Sequence, residues 1–592
     1  MNHEFSESAL ELEALNKIAE LGYETFNAFG ETFGDNAFLG RKTSQEVVLP
    51  IRLKNALKKL NPTLPNEAID KAFCALCEGK SALSLVRANQ DFYQLIKDGI
   101  LVSFKDENGG EKSQRVKVID FYNPQENDFL AVRQFKVSGE IYHRRADLVL
   151  FINGLPLVLI ELKAIHKNLI NGFLENVTDY KKNVSQLFWH NALIVVSNGS
   201  NTKIGSITSD WEHFFEWKKI NSEGEKGVIS LDTAIKGVFE KSKLLDIVEN
   251  FVLFMAVAGG TTKIIAKNHQ YLGVNNAIAA VENREKLAGK LGVFWHTQGS
   301  GKSFSMVFLT QKILRKLAGN WTFLIVTDRE DLDNQIYKNF ANSGAVTEKD
   351  VKAETKAHLK KLLSEDHRNI FTTIQKFGGE NQGETLEEIS SRSNIIVITD
   401  EAHRSQYKVL AMNMRKALPQ ASFLAFSGTP LIGEDEKTKE VFGDYVSKYD
   451  FNQSVEDGAT VKLFYENRIP QLQIVNQNLD ENLKEIVEEA DLSDESEERF
   501  KKTYVKTYQL ITREDRLEKI AADVVDHFMN RGFMGKAMFV AIDKSIALAM
   551  HDKVKKHWEL YLENLQKQLL TCRQNHKQAI VDKINRISTL CG

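Results

Sequence analysis

Hydrophobic and polar residues alternate in different ways along this chain, and each pattern predicts a different architecture. Residues 8–99 repeat apolar positions at helical spacing, which predicts mainly helices with an irregular, glycine-punctuated break at 26–40. Residues 100–163 change to short apolar runs typical of β-strands. Asn153 and Gly154, between two of these runs, predict a tight hairpin turn. A helix and one more strand follow, so this first region is predicted to be an α/β unit.

After a helical connector, strand-like and helical segments alternate along the chain. Between residues 290 and 450, strand-like runs separated by helical segments predict a parallel sheet with ligand-binding loops at the C-terminal ends of its strands. Residues 479–499 are strongly acidic and predict a solvated helix or linker. The segment "GKAMFVAIDK", residues 535–544, looks like the first strand of another α/β unit, with helices from there to the end.

The predicted fold class is α/β, with several domains, because 592 residues are too many for one core. The pattern divides the chain into four parts. They are an α/β domain with a helical N-terminal part at 1–225, a helical connector at 226–289, a parallel-sheet domain at 290–455, and a linker with the start of a further α/β unit at 456–592.

Composition narrows the class of protein without fixing its partner. Lysine and arginine total 77 against 80 acidic residues, a formal charge of −3, so a nucleic acid would be held by local basic clefts rather than by overall charge. Four cysteines argue against a disulfide scaffold. Cys74 and Cys77 form a C-x-x-C in an apolar helical stretch, where core packing is favoured over zinc or redox chemistry. The N-terminus lacks a signal-peptide pattern, and the most apolar helical stretch, 251–260, is about half a membrane span, so we expect a cytoplasmic protein.

The segment "FWHTQGSGKSFSM", residues 294–306, predicts a phosphate-binding loop. A strand runs into a glycine-rich turn and a helix opens behind it, so backbone N–H groups and the helix N-terminus can surround phosphate oxygens. Lys302 would reach the β- and γ-phosphates, and Ser303 would bind Mg²⁺. The residues predicted to contact nucleotide are Gly299, Ser300, Gly301, Lys302 and Ser303. His296 stands where the common pattern has its first glycine, so a chance glycine-rich turn is the alternative.

A second segment, "NIIVITDEAHRSQ", strengthens the nucleotide prediction. Its apolar run places Asp400 and Glu401 at the C-terminal end of a strand, beside the predicted loop. Asp400 can hold the Mg²⁺ shell, and Glu401 can orient or deprotonate the attacking water. A helix N-cap with an acidic first turn is the alternative. Both segments together predict a nucleoside triphosphate site.

These segments together resemble superfamily 2 helicases. "GSGKS", "DEAH" and "FSGTP" are similar to motifs I, II and III of that family, which adds His403 and Thr429 as candidate site residues. "VTDREDLDNQ" and "FTTIQKF" resemble motifs Ia and Ib. "NHQY" resembles the upstream glutamine segment, so Gln270 is a candidate to contact the adenine of ATP. The resemblance implies RecA-like lobes that close over ATP and move along nucleic acid.

"WHTQGSGKS" combined with "VTDREDLDNQ" is more specifically similar to the restriction subunit of Type I restriction-modification enzymes. This resemblance implies that 290–455 is a first RecA-like motor lobe and that 456–592 holds a linker and a partial second lobe. The Q-x-x-x-R segment of the second lobe is not found before Gly592. Because that segment supplies the family's arginine fingers, we expect poor ATPase activity from this chain by itself.

The predicted hairpin around Asn153 carries a second set of charged residues. Asp147 lies on the strand before the turn, and Glu161 and Lys163 share one face of the strand after it. Antiparallel pairing would bring Asp147 close to Glu161. Two carboxylates can hold Mg²⁺, and the lysine can steer or deprotonate a water or stabilise developing negative charge. A solvated strand with a chance E-x-K is the alternative.

The hairpin arrangement resembles PD-(D/E)xK nucleases, with Asp147, Glu161 and Lys163 in the three named positions. The family also has a Q-x-x-x-Y segment on the following helix. Tyr180 fits the tyrosine, whereas Asn176 stands in place of the glutamine, which is where a weakened or altered nuclease would show.

A basic run just before Asp147 is open to two interpretations. His143, Arg144 and Arg145 could contact phosphate, or they could form a solvated basic turn.

The combined resemblance implies a PD-(D/E)xK nuclease-like domain followed by RecA-like motor domains: an ATP-dependent duplex-DNA translocase and endonuclease in a bacterial or archaeal cytoplasm. It implies ATP and Mg²⁺ as cofactors, and double-stranded DNA with methyltransferase (modification) and specificity subunits as partners. Two alternatives remain open. One is an ATP-driven remodeller or helicase whose N-terminal domain only grips DNA, and the other is a nucleotide-gated DNA-binding or assembly module without turnover.

Overall fold

A computed structural model of the protein describes residues 7–34, 36–105, 109–378, 388–400, 407–430, 436–466, 468, 508, 511–531, 535–571 and 574–588. The chain separates into two compact units, Met1–Lys462 and Leu463–Gly592. The predicted acidic linker at 479–499 lies outside the described residues. No described helix combines the length and the apolar character that crossing a membrane requires.

A six-stranded mixed sheet forms the centre of the N-terminal region. Its strands run in the spatial order β1-β4-β5-β6-β7-β8. They are β1 (Glu24–Asn27), β4 (Phe129–Ser138), β5 (His143–Ile152), β6 (Leu155–Leu162), β7 (Leu193–Ser197) and β8 (Thr202–Gly205). A separate antiparallel pair consists of β2 (Ile100–Lys105) and β3 (Glu111–Val116). The predicted change from helices to strands near residue 100 is confirmed, and β1 is an additional short strand that ends just after the predicted break begins.

Helices surround this sheet. They are α1 (Glu7–Glu20), α2 (Pro50–Leu60), α3 (Asn66–Cys77) and α4 (Leu85–Asp98), with α5 (Leu169–Asn171), a π-helical turn (Gly172–Val177) and α6 (Thr178–Asn183) between β6 and β7. All eight residues of β6 are buried, which explains why this strand is apolar on both faces until Glu161. Asn153 and Gly154 have φ angles of 52° and 79°, so the predicted tight turn is confirmed.

Cys74 and Cys77 are both exposed, so their predicted packing in the core is wrong. Helix α3 buries Ala68, Ile69, Ala72 and Leu76, and the two cysteines fall outside that stripe.

The connector is only partly helical. Its helices are α7 (Leu231–Val238), α8 (Lys241–Asn250) and α9 (Asn268–Glu282). Between α8 and α9 lies an antiparallel hairpin of β9 (Val252–Val257) and β10 (Gly260–Ile265), so the prediction of a helix at 251–260 is wrong. Gly259 and Gly260, both at positive φ, allow the reversal that a continuous helix could not make.

The region after the connector contains the predicted parallel sheet, in the spatial order β13-β12-β14-β15-β11-β16. Its strands are β11 (Lys290–His296), β12 (Thr322–Thr327), β13 (Asn369–Thr373), β14 (Ile395–Asp400), β15 (Ser422–Ser427) and β16 (Tyr445–Tyr449). The helices are α10 (Lys302–Lys316), α11 (Glu330–Asn342), α12 (Lys356–Ser364), α13 (Tyr407–Ala417), α14 (Glu436–Phe442) and α15 (Phe451–Glu456). Four of the strands, β12 to β15, are buried along their whole length, which matches their near-continuous apolar sequence.

The second unit is helical in its described residues, with α16 (Glu514–Asn530), α17 (Lys544–Thr571) and α18 (Gln574–Ser588). The strand predicted at the start of 535–544 is wrong, because residues 535–541 have no strand assignment. Met538 and Val540 are 87% and 77% exposed, and a strand needs a paired neighbour to hold such side chains in place.

Candidate nuclease and nucleotide sites

Strands β5 and β6 bring the predicted carboxylates together. Leu148 pairs with Ile160 across the hairpin, so Asp147 and Glu161 occupy the next opposed positions. The backbone N–H of Leu162 donates to Asp147 Oδ2 at 2.8 Å. The prediction that the hairpin brings Asp147 close to Glu161 is therefore confirmed.

Lys163 lies in the same buried cluster. Its Nζ donates to Glu161 Oε1 at 2.8 Å and to Glu7 Oε1, on α1, at 3.2 Å. Glu161 is fully buried and Lys163 is 5% exposed, so the alternative of a solvated strand with a chance E-x-K does not describe this hairpin. A charge pair this deeply buried is costly unless it is well satisfied or serves a ligand.

The segment after β6 supplies two further contacts. Asn176 Nδ2 donates to Glu161 Oε1, so the shorter amide reaches the carboxylate. Tyr180 donates from its hydroxyl to the carbonyl oxygen of Arg145 at 3.0 Å. Asn176 thus contacts the charged cluster directly, and the Tyr180 hydroxyl, which holds the backbone of β5, also interacts with Glu161.

The charges of this cluster perturb one another. Burial raises the pKa of Asp147 to about 6, with the charges of Glu11 and Glu7 adding to the effect. Burial and the charge of Asp147 raise the pKa of Glu161 well above its usual range. Burial lowers the pKa of Lys163, but the carboxylates around it outweigh burial and raise that pKa overall. The lysine is therefore a cation at neutral pH, which favours charge stabilisation over proton abstraction among its predicted roles.

The donor set fits a divalent cation. Glu161 Oε2 is buried and accepts no hydrogen bond from the residues that the structure describes, and it faces the same cluster as Asp147. Two carboxylates are a usual protein contribution to a Mg²⁺ site. Among the described residues, no group of three or more His, Cys, Asp or Glu side chains is arranged for metal binding, so a cation here would depend on Asp147 and Glu161.

Sequence patterns missed the part of the site that comes from α1 and β4. Glu11, 4% exposed, accepts hydrogen bonds from Arg133 Nε at 2.7 Å and Gln134 Nε2 at 2.8 Å. Gln134 has a φ of 59° and stands opposite Asp147 in the β4–β5 pairing. A non-glycine residue in this region of φ is uncommon and marks local strain. Nothing in the spacing of α1 signals that its acids meet a strand more than 120 residues away.

The predicted phosphate loop follows β11 and ends at the first turn of α10. Gly299 and Gly301 have φ angles of 85° and 86°, so both positions require glycine. Lys302 Nζ donates to the carbonyl oxygen of His296 at 3.2 Å, and a Cβ at Gly428 would lie 3.2 Å from that Nζ. The loop and the start of "SGTP" thus enclose the lysine, as expected for neighbouring strands β11 and β15.

Side chains of α9 hold this loop by hydrogen bonds to its backbone. Gln270 Nε2 donates to the carbonyl oxygen of Gly301 at 3.0 Å, and Gln270 Oε1 accepts from the Lys267 N–H at 2.9 Å. His269 Nε2 donates to the carbonyl oxygen of Ser300 at 3.0 Å. The Ser300 hydroxyl is buried and has no partner in the described part of the chain. Gln270 therefore holds the loop itself, and its contact with adenine stays a prediction.

The acidic side of the predicted nucleotide site is described in part. Asp400, the last residue of β14, pairs with Phe426, which pairs with Phe294 of β11, so Asp400 lies at the same sheet edge as the loop. The Thr429 N–H donates to Ser427 Oγ at 3.2 Å, which shapes the turn after β15. Ser303 lies half-buried in the first turn of α10. Glu401 and His403 lie outside the described residues.

Helix α10 connects the nucleotide loop to the N-terminal region. Near its C-terminal end, Lys312 Nζ lies 2.6 Å from Asp246 Oδ1, and Lys316 Nζ lies 2.5 Å from Glu249 Oε2. The Tyr122 hydroxyl also donates to the carbonyl oxygen of Arg315 at 3.1 Å. The helix that begins at the predicted phosphate loop is thus held by ion pairs to α8 and by a hydrogen bond to the N-terminal α/β region.

Two family descriptions match this chain. Residues 4–213 match the Type I restriction enzyme R protein N terminus, and residues 269–498 match the SWI2/SNF2 ATPase. The first match contains the buried carboxylate–lysine cluster, and the second contains the phosphate loop and Asp400.

Curated relatives extend this similarity along most of the chain. The Type I restriction enzyme HindI endonuclease subunit of Haemophilus influenzae is 34% identical over 590 residues, which are 95% of this chain and 55% of that protein. A relative from Methanocaldococcus jannaschii is 34% identical over 577 residues, covering 92% of this chain and 54% of its own length. The chain spans about half the length of these relatives.

Solved structures give weaker matches. The UvsW helicase of bacteriophage T4 aligns with 14% identity and a TM-score of 0.24, covering 33% of this chain and 63% of that one. What the chain is similar to thus comes from its sequence: the N-terminal region resembles the Type I restriction enzyme R protein N terminus, and the region with the parallel sheet resembles the SWI2/SNF2 ATPase.

Proposed function

We propose that this chain is the nuclease and motor part of the restriction subunit of a Type I restriction-modification enzyme. The complete protein moves duplex DNA using ATP and cuts it, in the cytoplasm, together with modification and specificity subunits. In this proposal the nuclease domain spans 1–225, the connector 226–289, the first motor lobe 290–455, and a linker with a partial second lobe 456–592.

The observation that carries the nuclease proposal is the buried cluster of Asp147, Glu161 and Lys163. A folded domain has no structural need for two carboxylates and a lysine at the end of a fully buried strand, and burying them is costly. A metal and a DNA phosphate supply the missing partners. The names of the curated relatives, which are endonuclease subunits, support the same conclusion.

Each residue of the cluster has a separate task in hydrolysis of a phosphodiester. Asp147 and Glu161 would hold Mg²⁺, which when bound would polarise the phosphate and make a water more acidic. Lys163, protonated at neutral pH, stabilises the negative charge that develops as water adds to phosphorus and the P–O3′ or P–O5′ bond breaks. Asn176 orients the Glu161 carboxylate through its hydrogen bond to Oε1.

The motor proposal depends on the loop at Gly299–Ser303 and on Asp400. Backbone N–H groups of the loop and the N-terminus of α10 bind the phosphates of ATP, with Lys302 as the cation nearest the β- and γ-phosphates. Ser303 and Asp400 would hold the Mg²⁺ that accompanies ATP, and Glu401 would orient the attacking water. Gln270 fixes the loop and has adenine as its proposed ligand.

The test uses the full-length protein in its assembled complex with duplex DNA. Lys302→Ala is expected to reduce DNA-dependent phosphate release by at least about 100-fold and to abolish cleavage, because both depend on ATP. Asp147→Ala is expected to abolish cleavage and to leave phosphate release within about twofold. Lys286→Ala, an exposed lysine before β11 at the opposite end of that strand from the loop, is the matched control and changes neither rate. DNA cleavage at the wild-type rate by Asp147→Ala would contradict the proposed nuclease site.

A further inference from the structure

His296 occupies the position at which the common phosphate-loop pattern has its first glycine, and its side chain is fully buried. It is the last residue of β11, so it lies where the strand ends and the predicted phosphate loop begins. Its carbonyl oxygen accepts the hydrogen bond from Lys302 Nζ at 3.2 Å. The position of His296 therefore affects both the start of the loop and the predicted phosphate-binding lysine.

A chain of hydrogen bonds connects the His296 ring to an acidic residue outside the parallel-sheet region. His296 Nε2 lies 2.6 Å from Ser447 Oγ on β16, and the Ser447 hydroxyl donates to Glu223 Oε1. Glu223 Oε2 accepts from the Lys448 N–H at 2.9 Å, so both carboxylate oxygens are bound by residues of β16. We name Glu223, Ser447 and His296 the loop relay.

The direction of the hydrogen bonds in the loop relay follows from the donors and acceptors present. The Ser447 hydroxyl has one proton and gives it to the Glu223 carboxylate, so it must accept from His296, whose Nε2 then carries a hydrogen. Burial lowers the pKa of His296 well below its usual range, so the ring is neutral and has no second N–H. Its Nδ1 is buried and has no hydrogen-bond partner among the described residues. In that part of the chain, Ser447 is therefore the polar group that fixes the ring.

Strand β16 holds the start of the loop closely. Ser447 is 1% exposed, and a Cβ added at Gly273 of α9 would lie 2.5 Å from its Oγ, so the hydroxyl has little room to move. The Thr297 N–H donates to the Tyr449 carbonyl oxygen at 2.9 Å. The Tyr449 ring also stacks on the ring of His269, with the ring centres 3.8 Å apart. The loop is thus joined to β16 through side chains as well as backbone.

Glu223 belongs to a short loop, residues 218–225, that has its own hydrogen bonds. The carboxylate of Glu225 accepts from the backbone N–H groups of residues 220–222. Asn268, the first residue of α9, accepts through its Oδ1 from two further N–H groups of this loop, at 3.2 and 2.9 Å. Because the loop is held in this way, Glu223 reaches β16 from a fixed backbone.

We infer that Glu223 and Ser447 are positioning residues for ATP binding: they fix the ring of His296 and, with it, the conformation in which the loop receives the phosphates. This inference rests on the proposed motor function. A loop that binds phosphate through backbone N–H groups depends on their exact placement, because a hydrogen bond weakens steeply when it is misaligned. Neither residue is among those proposed to contact ATP. Their loss should therefore weaken ATP binding and leave the chemical step unchanged.

The first experiment measures phosphate release by the full-length protein in its assembled complex with duplex DNA, at pH 8, over a range of ATP concentrations. Ser447→Ala is expected to raise the KM for ATP about 10-fold and to leave kcat within about twofold. Glu223→Gln is expected to raise KM about 3- to 10-fold. Its amide oxygen can still accept from the Lys448 N–H, but its amide nitrogen then faces Ser447 as a donor and reverses the loop relay. Glu456→Gln, at an exposed acid of α15 that lines the same cavity as Glu223, is the matched control and changes neither constant.

The second experiment combines the two substitutions. If Glu223 acts through Ser447, the Glu223→Gln/Ser447→Ala double variant has the KM of Ser447→Ala alone, within about twofold, whereas independent effects would multiply. Thermal unfolding without nucleotide is measured for each variant. A lower unfolding temperature with an unchanged KM would restrict the three residues to a role in folding and overturn the inference. Multiplied effects in the double variant would overturn it as well.

Binding of a fluorescent ATP analogue to the full-length protein, without DNA, separates the inference from the function on which it rests. Binding that is about 10-fold weaker in Ser447→Ala, with no phosphate release by wild type, would support the loop relay and contradict the motor proposal. Unchanged binding in Ser447→Ala, together with ATP hydrolysis that Lys302→Ala abolishes, would do the reverse. A wild-type protein that does not bind the analogue would contradict both.

Discussion

Asp147→Asn is expected to stabilise the metal-free protein at alkaline pH, although it removes a residue of the proposed active site. The carboxylate is buried beside Glu161, and its pKa is raised from 3.8 to about 6. A raised carboxyl pKa means that ionisation costs free energy in the folded state. Moving the pKa by this amount corresponds to about 3 kcal/mol at pH 8. Asparagine removes that cost and can still accept the hydrogen bond from the Leu162 N–H through its Oδ1.

The pH dependence follows from the same shift. Stability associated with protonated Asp147 is fully present below the unfolded pKa near 4 and is lost as the pH rises through about 6. The advantage of Asp147→Asn over wild type is therefore about 3 kcal/mol at pH 8 and roughly half of that at pH 5. For a domain of this size, the larger value corresponds to a rise of roughly 6 to 10 °C in the first unfolding transition.

The assay is thermal unfolding of wild type and variant in EDTA at pH 5 and pH 8, repeated at pH 8 with Mg²⁺. Added Mg²⁺ stabilises wild type but not the variant, so the gap narrows. Asp179→Asn is the matched control with the opposite sign, because its hydrogen bond to Arg144 lowers the pKa of Asp179 and the substitution loses that stability at pH 8. An Asp147→Asn protein that is no more stable than wild type at pH 8, or whose advantage does not shrink at pH 5, would refute the electrostatic account of the cluster.

Substitutions at three further positions test individual contacts. Asn176→Ala is expected to lower cleavage about 10-fold in a nicking assay, whereas Asn176→Gln stays within about twofold of wild type because asparagine already reaches Glu161. Gly301→Ala is expected to weaken ATP binding at least about 10-fold in a fluorescent-nucleotide titration, since the residue has a φ of 86° and a Cβ would lie 2.7 Å from Gln270 Nε2. Gln134→Val is expected to lower stability to denaturant by about 2 kcal/mol or more, and Gln134→Gly by less, because a β-branched residue tolerates positive φ poorly. Equal losses for the two Gln134 variants would contradict the strain assigned to that position.

Local patterns predicted the parts of the fold in which neighbours in sequence are neighbours in space. The hairpin at Asn153–Gly154 sets the pairing of β5 with β6, so Asp147 and Glu161 could be brought together from sequence alone. The phosphate loop was equally accessible, because the strand, the glycines and the helix are contiguous. In both cases the turn chemistry leaves few alternatives.

The features that sequence patterns did not predict depend on contacts between residues that are far apart in the chain. Residues 252–257 are as apolar as a buried helix, and only the reversal at Gly259–Gly260 makes them pair with β10. Glu7 accepts a hydrogen bond from Lys163, which is 156 positions away, and no periodicity in the sequence predicts this contact. Cys74 and Cys77 lie on an apolar helix, but the elements that pack against α3 bury its other face and leave both cysteines exposed. Gln134, with its φ of 59°, donates to Glu11 across 123 positions, and no local turn signal marks it.

The most direct test of the proposed function is a single sample in which cleavage of duplex DNA and ATP hydrolysis are measured together for Lys163→Met in the assembled enzyme. Methionine keeps the packing of the side-chain stem but removes the cation that contacts Glu161 at 2.8 Å. The account predicts that cleavage falls by at least about 100-fold, while ATP hydrolysis stays within about twofold of wild type. Cleavage at the wild-type rate would contradict the assignment of this buried cluster as the site that cuts DNA.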